Sequence, residues 1–137
     1  MRVGAGVLGF LWAICSGCAA PPPAPLPAPT DVFVSGQAGY GGYRIPALVR
    51  TVEGTLLAFC EGRRRGLSDA GDVDLLLSRS HDGGCSWSPA EVVADLGTDF
   101  IGNPAPVVDE RDGAITVLLT WKAGNAHERD IRAGRQP

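Results

Sequence analysis

Short apolar runs separated by turn residues dominate the chain from Asp31 onward. Each run is four to eight residues long and is bounded by Gly, Asp or Pro, which is typical of strands joined by tight turns. No longer window shows the periodicity of an amphipathic helix. The pattern therefore predicts an all-β protein, with strands over residues 32–35, 44–50, 55–61, 72–79, 91–95, 105–109 and 114–121.

The spacing of these runs also predicts how the strands pair. The four strands between residues 44 and 95 are expected to form one antiparallel sheet, and the pair between 105 and 121 is expected to start another. Four-stranded sheets repeated in series build a β-propeller. In such a fold the isolated strand over 32–35 would complete the last blade.

Charge and cysteine content exclude several classes of function. Twelve Lys and Arg residues against 15 Asp and Glu leave a net charge of −3, which gives no positive field for binding nucleic acid. The 45% hydrophobic content argues against a disordered chain. Neither His81 nor His127 has a ligand partner at metal-binding spacing, so we expect no metal and no cofactor. Cys60 and Cys85 form one possible disulfide, although Cys60 is better interpreted as a small buried residue of an apolar strand.

The first thirty residues predict export and a tether. Arg2 precedes an apolar run over residues 3–14, which has the length of a signal peptide and is too short to span a bilayer. Small residues ahead of Cys18 resemble a lipoprotein box, which predicts a signal peptide over 1–17 and lipidation of Cys18. Ordinary secretion and an uncleaved anchor are the alternatives. The Pro- and Ala-rich segment 18–30 is then a spacer that holds the domain 31–137 away from a bacterial cell envelope.

One segment carries a recognisable motif. Residues 80–88 (SHDGGCSWS) match the pattern Ser-x-Asp-x-Gly-x-x-Trp, the Asp-box of sialidases and some other propellers, through Ser80, Asp82, Gly84 and Trp87. The Asp82 carboxylate can accept backbone amides across the turn, and Gly84 can take a left-handed conformation. We interpret Asp82 as a residue that shapes the turn and not as a catalyst.

Three further segments make the resemblance specific. They are residues 43–46 (YRIP), residues 57–63 (LAFCEGR) with the following Ser68-Asp69 and Gly71-Asp72, and residues 102–109 (GNPAPVVD). With the Asp-box they resemble, in order, the N-terminal part of the bacterial exo-α-sialidase (neuraminidase) family. The resemblance implies a partial six-bladed β-propeller, of which this chain covers about the first two blades.

The resemblance assigns roles to four residues. Arg44 matches the first of three arginines that bind the sialic acid carboxylate, a task suited to a planar, permanently charged guanidinium. Arg63 matches a second pocket arginine, with a surface charge run over 63–65 as the alternative. Asp69 matches the general acid/base, for which Asp72 is the competing candidate. Asn103 matches a residue of the pocket wall that contacts the sugar, or else is a turn residue before Pro104.

The implied reaction is hydrolysis of terminal sialic acid from glycoproteins, glycolipids or oligosaccharides with retention at the anomeric carbon. Its nucleophile is a tyrosine paired with a glutamate, and neither Tyr40 nor Tyr43 matches that tyrosine. Two arginines of the carboxylate triad also have no match here, so we expect the chain to be inactive alone. The alternative function is that of a non-catalytic Asp-box protein that binds at a surface.

Overall fold

Six β-strands and one short helix make up the protein in a computed structural model that describes residues 28–136. The strands are β1 (Gly42–Arg50), β2 (Leu56–Arg63), β3 (Val73–Ser80), β4 (Glu91–Ala94), β5 (Phe100–Val108) and β6 (Ile115–Lys122), followed by helix α1 (Glu128–Arg132). The all-β prediction is confirmed, and six of the seven expected strands are present within a few residues of their expected bounds. The signal peptide over 1–17, Cys18 and most of the spacer lie outside the described residues.

The strands pair largely as the spacing predicts. Strands β1 to β4 form an antiparallel array in chain order, and β5 and β6 form an antiparallel pair. The expectation of a separate second sheet is wrong, because Val73 of β3 pairs in parallel with Phe100 of β5 and joins all six strands. That single pair places the start of β5 beside the start of β3, next to the loop that joins β2 and β3.

The strand expected over residues 32–35 is also wrong, because this segment forms turns. The Gly36 N–H donates to the Tyr40 carbonyl at 3.0 Å, and the Gln37 N–H donates to the Val34 carbonyl at 3.1 Å. The Phe33 side chain packs against Tyr43, with 5.4 Å between the ring centroids, whereas Val34 is exposed. A run of three apolar residues followed by the turn-forming Ser35 and Gly36 is too short to hold a register of its own.

The core lies between the two arrays. Alternate residues of β2 and β3, Leu57, Phe59, Leu75 and Leu77, form a buried cluster on one face of the first array. Val117 and Leu119 of β6, with Ala47 and Val49 of β1, pack against that cluster. The second hairpin therefore covers the same face of β2 that carries Glu61 and Arg63 further along the strand.

Two free cysteines and the terminal helix complete the fold. Cys60 is buried and Cys85 is exposed, and neither forms a disulfide with the other. Burial raises the pKa of the Cys60 thiol to about 11. Helix α1 was not expected from the sequence, and none of its five residues is buried. Between residues 28 and 136 we find no helix with the length and apolar content needed to cross a bilayer.

Candidate functional site

A cavity of about 380 Å³ opens where β2 ends and β5 begins. Side chains from several separate segments line it: the β1 strand, the end of β2, the β2–β3 loop, β5, β6 and helix α1. Its charged and polar wall includes Glu61, Arg63, Asp69, Asn103 and Lys122, and its apolar wall includes Ile45, Phe100 and Trp121. A pocket that combines apolar walls with a few convergent polar groups is typical of small-ligand sites.

Arg63 is the most constrained charged residue of the site. Its side chain is only 3% exposed, and β2 alternation places it on the same face as Glu61. The guanidinium donates to Glu61 Oε2 from Nη2 at 2.5 Å and from Nε at 3.1 Å, and its Nη1 donates to the carbonyls of Leu67 and Ser68 at 2.9 and 2.5 Å. The alternative interpretation, a surface charge run over residues 63–65, is therefore wrong for Arg63, whereas Arg64 is partly exposed.

Arg44 and Arg63 meet at one carboxylate oxygen. Arg44 Nη1 lies 2.6 Å and Arg63 Nη1 lies 2.8 Å from Asp69 Oδ1. The two arginines come from neighbouring strands, and Asp69 comes from the loop between β2 and β3. The Asp69 side chain is 74% exposed, so the loop presents it to solvent beside the cavity.

These contacts set the ionisation of Asp69. The hydrogen bond from Arg63 and the positive charges of Arg44, Arg63 and Lys122 hold the pKa of the Asp69 carboxyl below its usual range, against a smaller opposing effect of desolvation. In this arrangement the carboxyl is ionised, which is the form that a general base requires. The competing candidate Asp72 points elsewhere, because its Oδ1 pairs with Arg64 Nε at 3.2 Å.

Two residues of the site were not singled out from the sequence. Glu61 is fully buried and holds Arg63, while its second oxygen, Oε1, accepts the backbone N–H of Asn103 at 2.8 Å. Lys122 of β6 donates from Nζ to the Asp69 carbonyl and lies over the ring of Phe100. A glutamate inside an apolar strand, two residues before an arginine on the same face, is the sequence signal that would have identified Glu61.

Asn103 lies in an irregular part of β5 and not in a turn, so the turn alternative is wrong. Its φ is 51°, and the pairing of β5 with β6 shifts register between Gly102 and Ala105. The side-chain Nδ2 donates to Thr120 Oγ1 at 2.7 Å at the cavity wall. Ile45 of β1 has the same features, with a φ of 54° ahead of a proline and a register shift between Arg44 and Ala47.

Residues 80–88, which match the Asp-box pattern, lie at the opposite end of β3 from the cavity. Asp82 Oδ1 accepts the Ser86 N–H at 2.9 Å and the Ser80 hydroxyl at 2.8 Å, and the Trp87 indole donates to the Gly84 carbonyl at 3.1 Å. Hydrogen bonds from the Ser86 side chain and backbone and from Ser80 lower the pKa of Asp82 far below its usual range. The carboxylate is thus fully engaged in the turn between β3 and β4.

A second charged cluster lies on the other face of β2. Asp74 is fully buried and accepts the Tyr40 hydroxyl at 2.7 Å and Arg64 Nη2 at 2.7 Å, and Arg64 stacks over the Tyr40 ring. Desolvation raises the pKa of Asp74, and burial together with the Asp74 hydrogen bond raises the pKa of Tyr40. Within residues 28–136 no three His, Cys, Asp or Glu side chains are grouped so as to hold a metal ion.

Known proteins with similar sequences are sialidases. The chain is 43% identical over 89 residues to an exo-alpha-sialidase of Aspergillus fumigatus, which covers 61% of this chain and 22% of that protein. It is 38% identical over 95 residues to a sialidase of Micromonospora viridifaciens, which covers 66% of this chain and 15% of that protein. No protein-family model matches the chain.

A solved structure agrees with the sequence relatives. The microbial sialidase Hz136 from a Hadza source superposes with a TM-score of 0.61 and 32% sequence identity, covering 67% of this chain and 20% of that one. The resemblance to sialidases is therefore confirmed. The chain spans about a fifth of the length of the relatives it matches.

Proposed function

We propose that this chain forms the N-terminal part of an exo-α-sialidase propeller, and that its cluster of Arg44, Arg63 and Asp69 takes part in removing terminal sialic acid from glycoconjugates. The observation that carries the proposal is the convergence of two arginines on one carboxylate oxygen at the edge of a cavity. The names of the relatives support the same reaction.

Arg44 is suited to bind the carboxylate on the anomeric carbon of sialic acid. Its side chain is 40% exposed, and among the described residues only its Nη1 donates hydrogen bonds. The remaining guanidinium N–H groups are available to a ligand, and a guanidinium can bind a carboxylate through two parallel hydrogen bonds. Lysine offers one point charge and cannot reproduce that geometry.

Asp69 is proposed as the general acid/base. It is an exposed carboxylate beside the cavity that two arginines contact, whereas Glu61 is buried in an ion pair with Arg63 and Glu128 pairs with Arg132. A general acid must carry a proton when the leaving oxygen departs, and it must then accept one from water. The ion pairs with Arg44 and Arg63 favour the ionised form, so protonation of Asp69 requires that these contacts weaken when the substrate binds.

The rest of the cavity suits a sugar. Trp121 and Phe100 provide apolar surface, and Asn103 and Lys122 provide hydrogen-bond donors on the same wall. The residues that the resemblance requires for the nucleophile, a tyrosine and its glutamate, have no matching positions in this chain. We therefore propose that the 137 residues alone bind but do not hydrolyse sialosides.

A chimera tests the catalytic assignment. The matched segment of this chain replaces its counterpart in the Micromonospora viridifaciens sialidase, and hydrolysis of an aryl sialoside is measured. We expect turnover that falls by about 10²- to 10⁴-fold with Asp69→Ala, the range for general acid/base catalysis, and that is unchanged with Asp72→Ala. Full turnover by the Asp69→Ala chimera would refute the role of Asp69.

The same chimera separates the two classes of function. Arg44→Lys should raise KM strongly, whereas Arg79→Lys, which alters a surface pair with Glu91, should not. A folded chimera that binds sialic acid but shows no turnover in any variant would favour the non-catalytic surface protein.

A further inference from the structure

Asp69 is bound to Arg44, the residue to which the proposed function assigns the substrate carboxylate, and to the neighbouring Arg63. Its Oδ1 accepts from Nη1 of Arg44 at 2.6 Å and from Nη1 of Arg63 at 2.8 Å. Two guanidinium groups directed at one oxygen form a carboxylate-binding site. In this structure the protein's own carboxylate fills that site.

The buried arginine of this pair is held firmly in place. Arg63 is 3% exposed and is fixed by Glu61 and by the carbonyls of Leu67 and Ser68. None of these contacts involves the Asp69 side chain. Removal of the Asp69 carboxylate would therefore leave Arg63 in position to receive another acceptor.

The loop that carries Asp69 is also anchored through its backbone. Arg63 holds the two carbonyls that precede Asp69, and Lys122 holds the carbonyl of Asp69 itself. The Asp69 side chain is 74% exposed, so nothing packs against its outer side. A rotation about the side-chain bonds of Asp69 is enough to free both guanidinium groups while the loop stays beside the cavity.

We propose that the carboxylate of a bound sugar acid displaces Asp69 from Arg44 and Arg63, while Lys122 keeps Asp69 at the edge of the cavity. Asp69 then acts as an internal competitor for carboxylate ligands and is released for acid/base chemistry only when such a ligand is bound. This inference rests on the proposed function, because it assumes that the ligand carboxylate binds Arg44.

The exchange changes the electrostatic environment of Asp69. The charged groups around it are Arg44, Arg63 and Lys122, and the other carboxylates that line the cavity are those of Glu61 and Glu128. A ligand carboxylate neutralises the positive charge that now favours ionised Asp69, and it adds a negative charge nearby. Both effects favour a protonated Asp69 in the complex.

Carbon-13 NMR of the whole chain, labelled at aspartate carboxyls, tests the exchange. Free sialic acid is the ligand, and its methyl ester, which lacks the negative charge, is the matched control. The Asp69 carboxyl resonance should titrate at a higher pH in the presence of the acid and should not shift with the ester. The indole resonance of Trp121, which lines the cavity, reports binding independently.

Affinity supplies the second measurement. Because Asp69 competes for the arginines, Asp69→Ala should bind the acid about 1.5- to 5-fold more tightly, the range expected from loss of an exposed ion pair. Asp72→Ala, which removes a carboxylate paired with Arg64, should leave the affinity unchanged.

The outcomes separate the two proposals. If the acid moves the Trp121 resonance but Asp69 is unaffected and Asp69→Ala binds no more tightly, the exchange is overturned while the sialic acid site stands. If the wild-type chain and Asp69→Ala are both folded and neither binds the acid, the carboxylate site and the exchange fall together. Equal binding of acid and ester would also overturn both.

Discussion

Replacing Glu61 by alanine should be far more damaging than an ordinary surface substitution. Glu61 is fully buried, and its two oxygens accept two hydrogen bonds from Arg63 and one from the Asn103 backbone. Loss of one partner of a buried ion pair typically costs about 3–5 kcal/mol. Arg63 keeps its bonds to Asp69 and to two carbonyls, so we expect Glu61→Ala to lower the free energy of unfolding by about 3 kcal/mol.

The chain offers a matched control for this experiment. Glu91 forms an ion pair with Arg79 at 2.7 Å, but the two side chains are 50% and 37% exposed. Glu91→Ala removes the same chemical group from an exposed pair, which is worth about 0.2–1 kcal/mol. Urea unfolding followed by circular dichroism compares the two variants with the wild type. If Glu61→Ala lies within about 0.5 kcal/mol of Glu91→Ala, a value below the expected gap, the burial argument is wrong.

Three further predictions concern the sheet and its turns. Gly62→Ala should destabilise the fold by about 1–3 kcal/mol in urea unfolding, because its Cβ would lie 2.8 Å from the Tyr40 ring. Asp82→Ala should lower the urea midpoint without changing the affinity for sialic acid, since Asp82 lies at the opposite end of β3 from the cavity. A weaker affinity, measured where the variant is fully folded, would contradict this. The pKa of Asp69 is lowered in the folded state, so ionised Asp69 stabilises the fold above pH ~4, and this contribution is lost as the pH falls through the folded-state pKa. The difference in urea midpoint between the wild type and Asp69→Asn should therefore shrink on acidification. A difference that grows would refute the prediction.

The strands could be predicted because turn residues mark the end of nearly every apolar run. The same rule predicted a strand over residues 32–35 that the structure does not contain, because this segment forms bends and turns and Phe33 packs against Tyr43. The parallel pair between Val73 and Phe100 could not be foreseen, because it depends on where the second hairpin docks on the core. Local turns decided the first case, and tertiary packing decided the second.

Only part of the candidate site could be predicted from the sequence. Arg44, Arg63 and Asp69 were selected by motif, and the structure brings all three together. Glu61 was missed because it directly follows the apolar run over residues 56–60 and has the position of a strand residue. Lys122 was missed because its distance of 53 residues from Asp69 along the chain gives no local signal.

The paired irregularities in β1 and β5 explain how Arg44 reaches the site. Arg44 lies opposite Glu61 and Ala47 lies opposite Phe59, so β1 uses three residues where β2 uses two. In a regular strand, residues three apart point to opposite faces. The extra residue, Ile45 with its φ of 54°, lets Arg44 and Ala47 share the face of Glu61 and the core.

Strand β5 contains a similar bulge, which also lies at the cavity. Gly102 lies opposite Thr120 and Ala105 lies opposite Leu118, and Asn103 has a φ of 51° ahead of a proline. A positive φ costs a non-glycine residue free energy, and such strain concentrates where it orients a functional side chain. Because both bulges line the same cavity, the strain is best explained as the cost of placing Arg44 beside the core and the Asn103 N–H on Glu61.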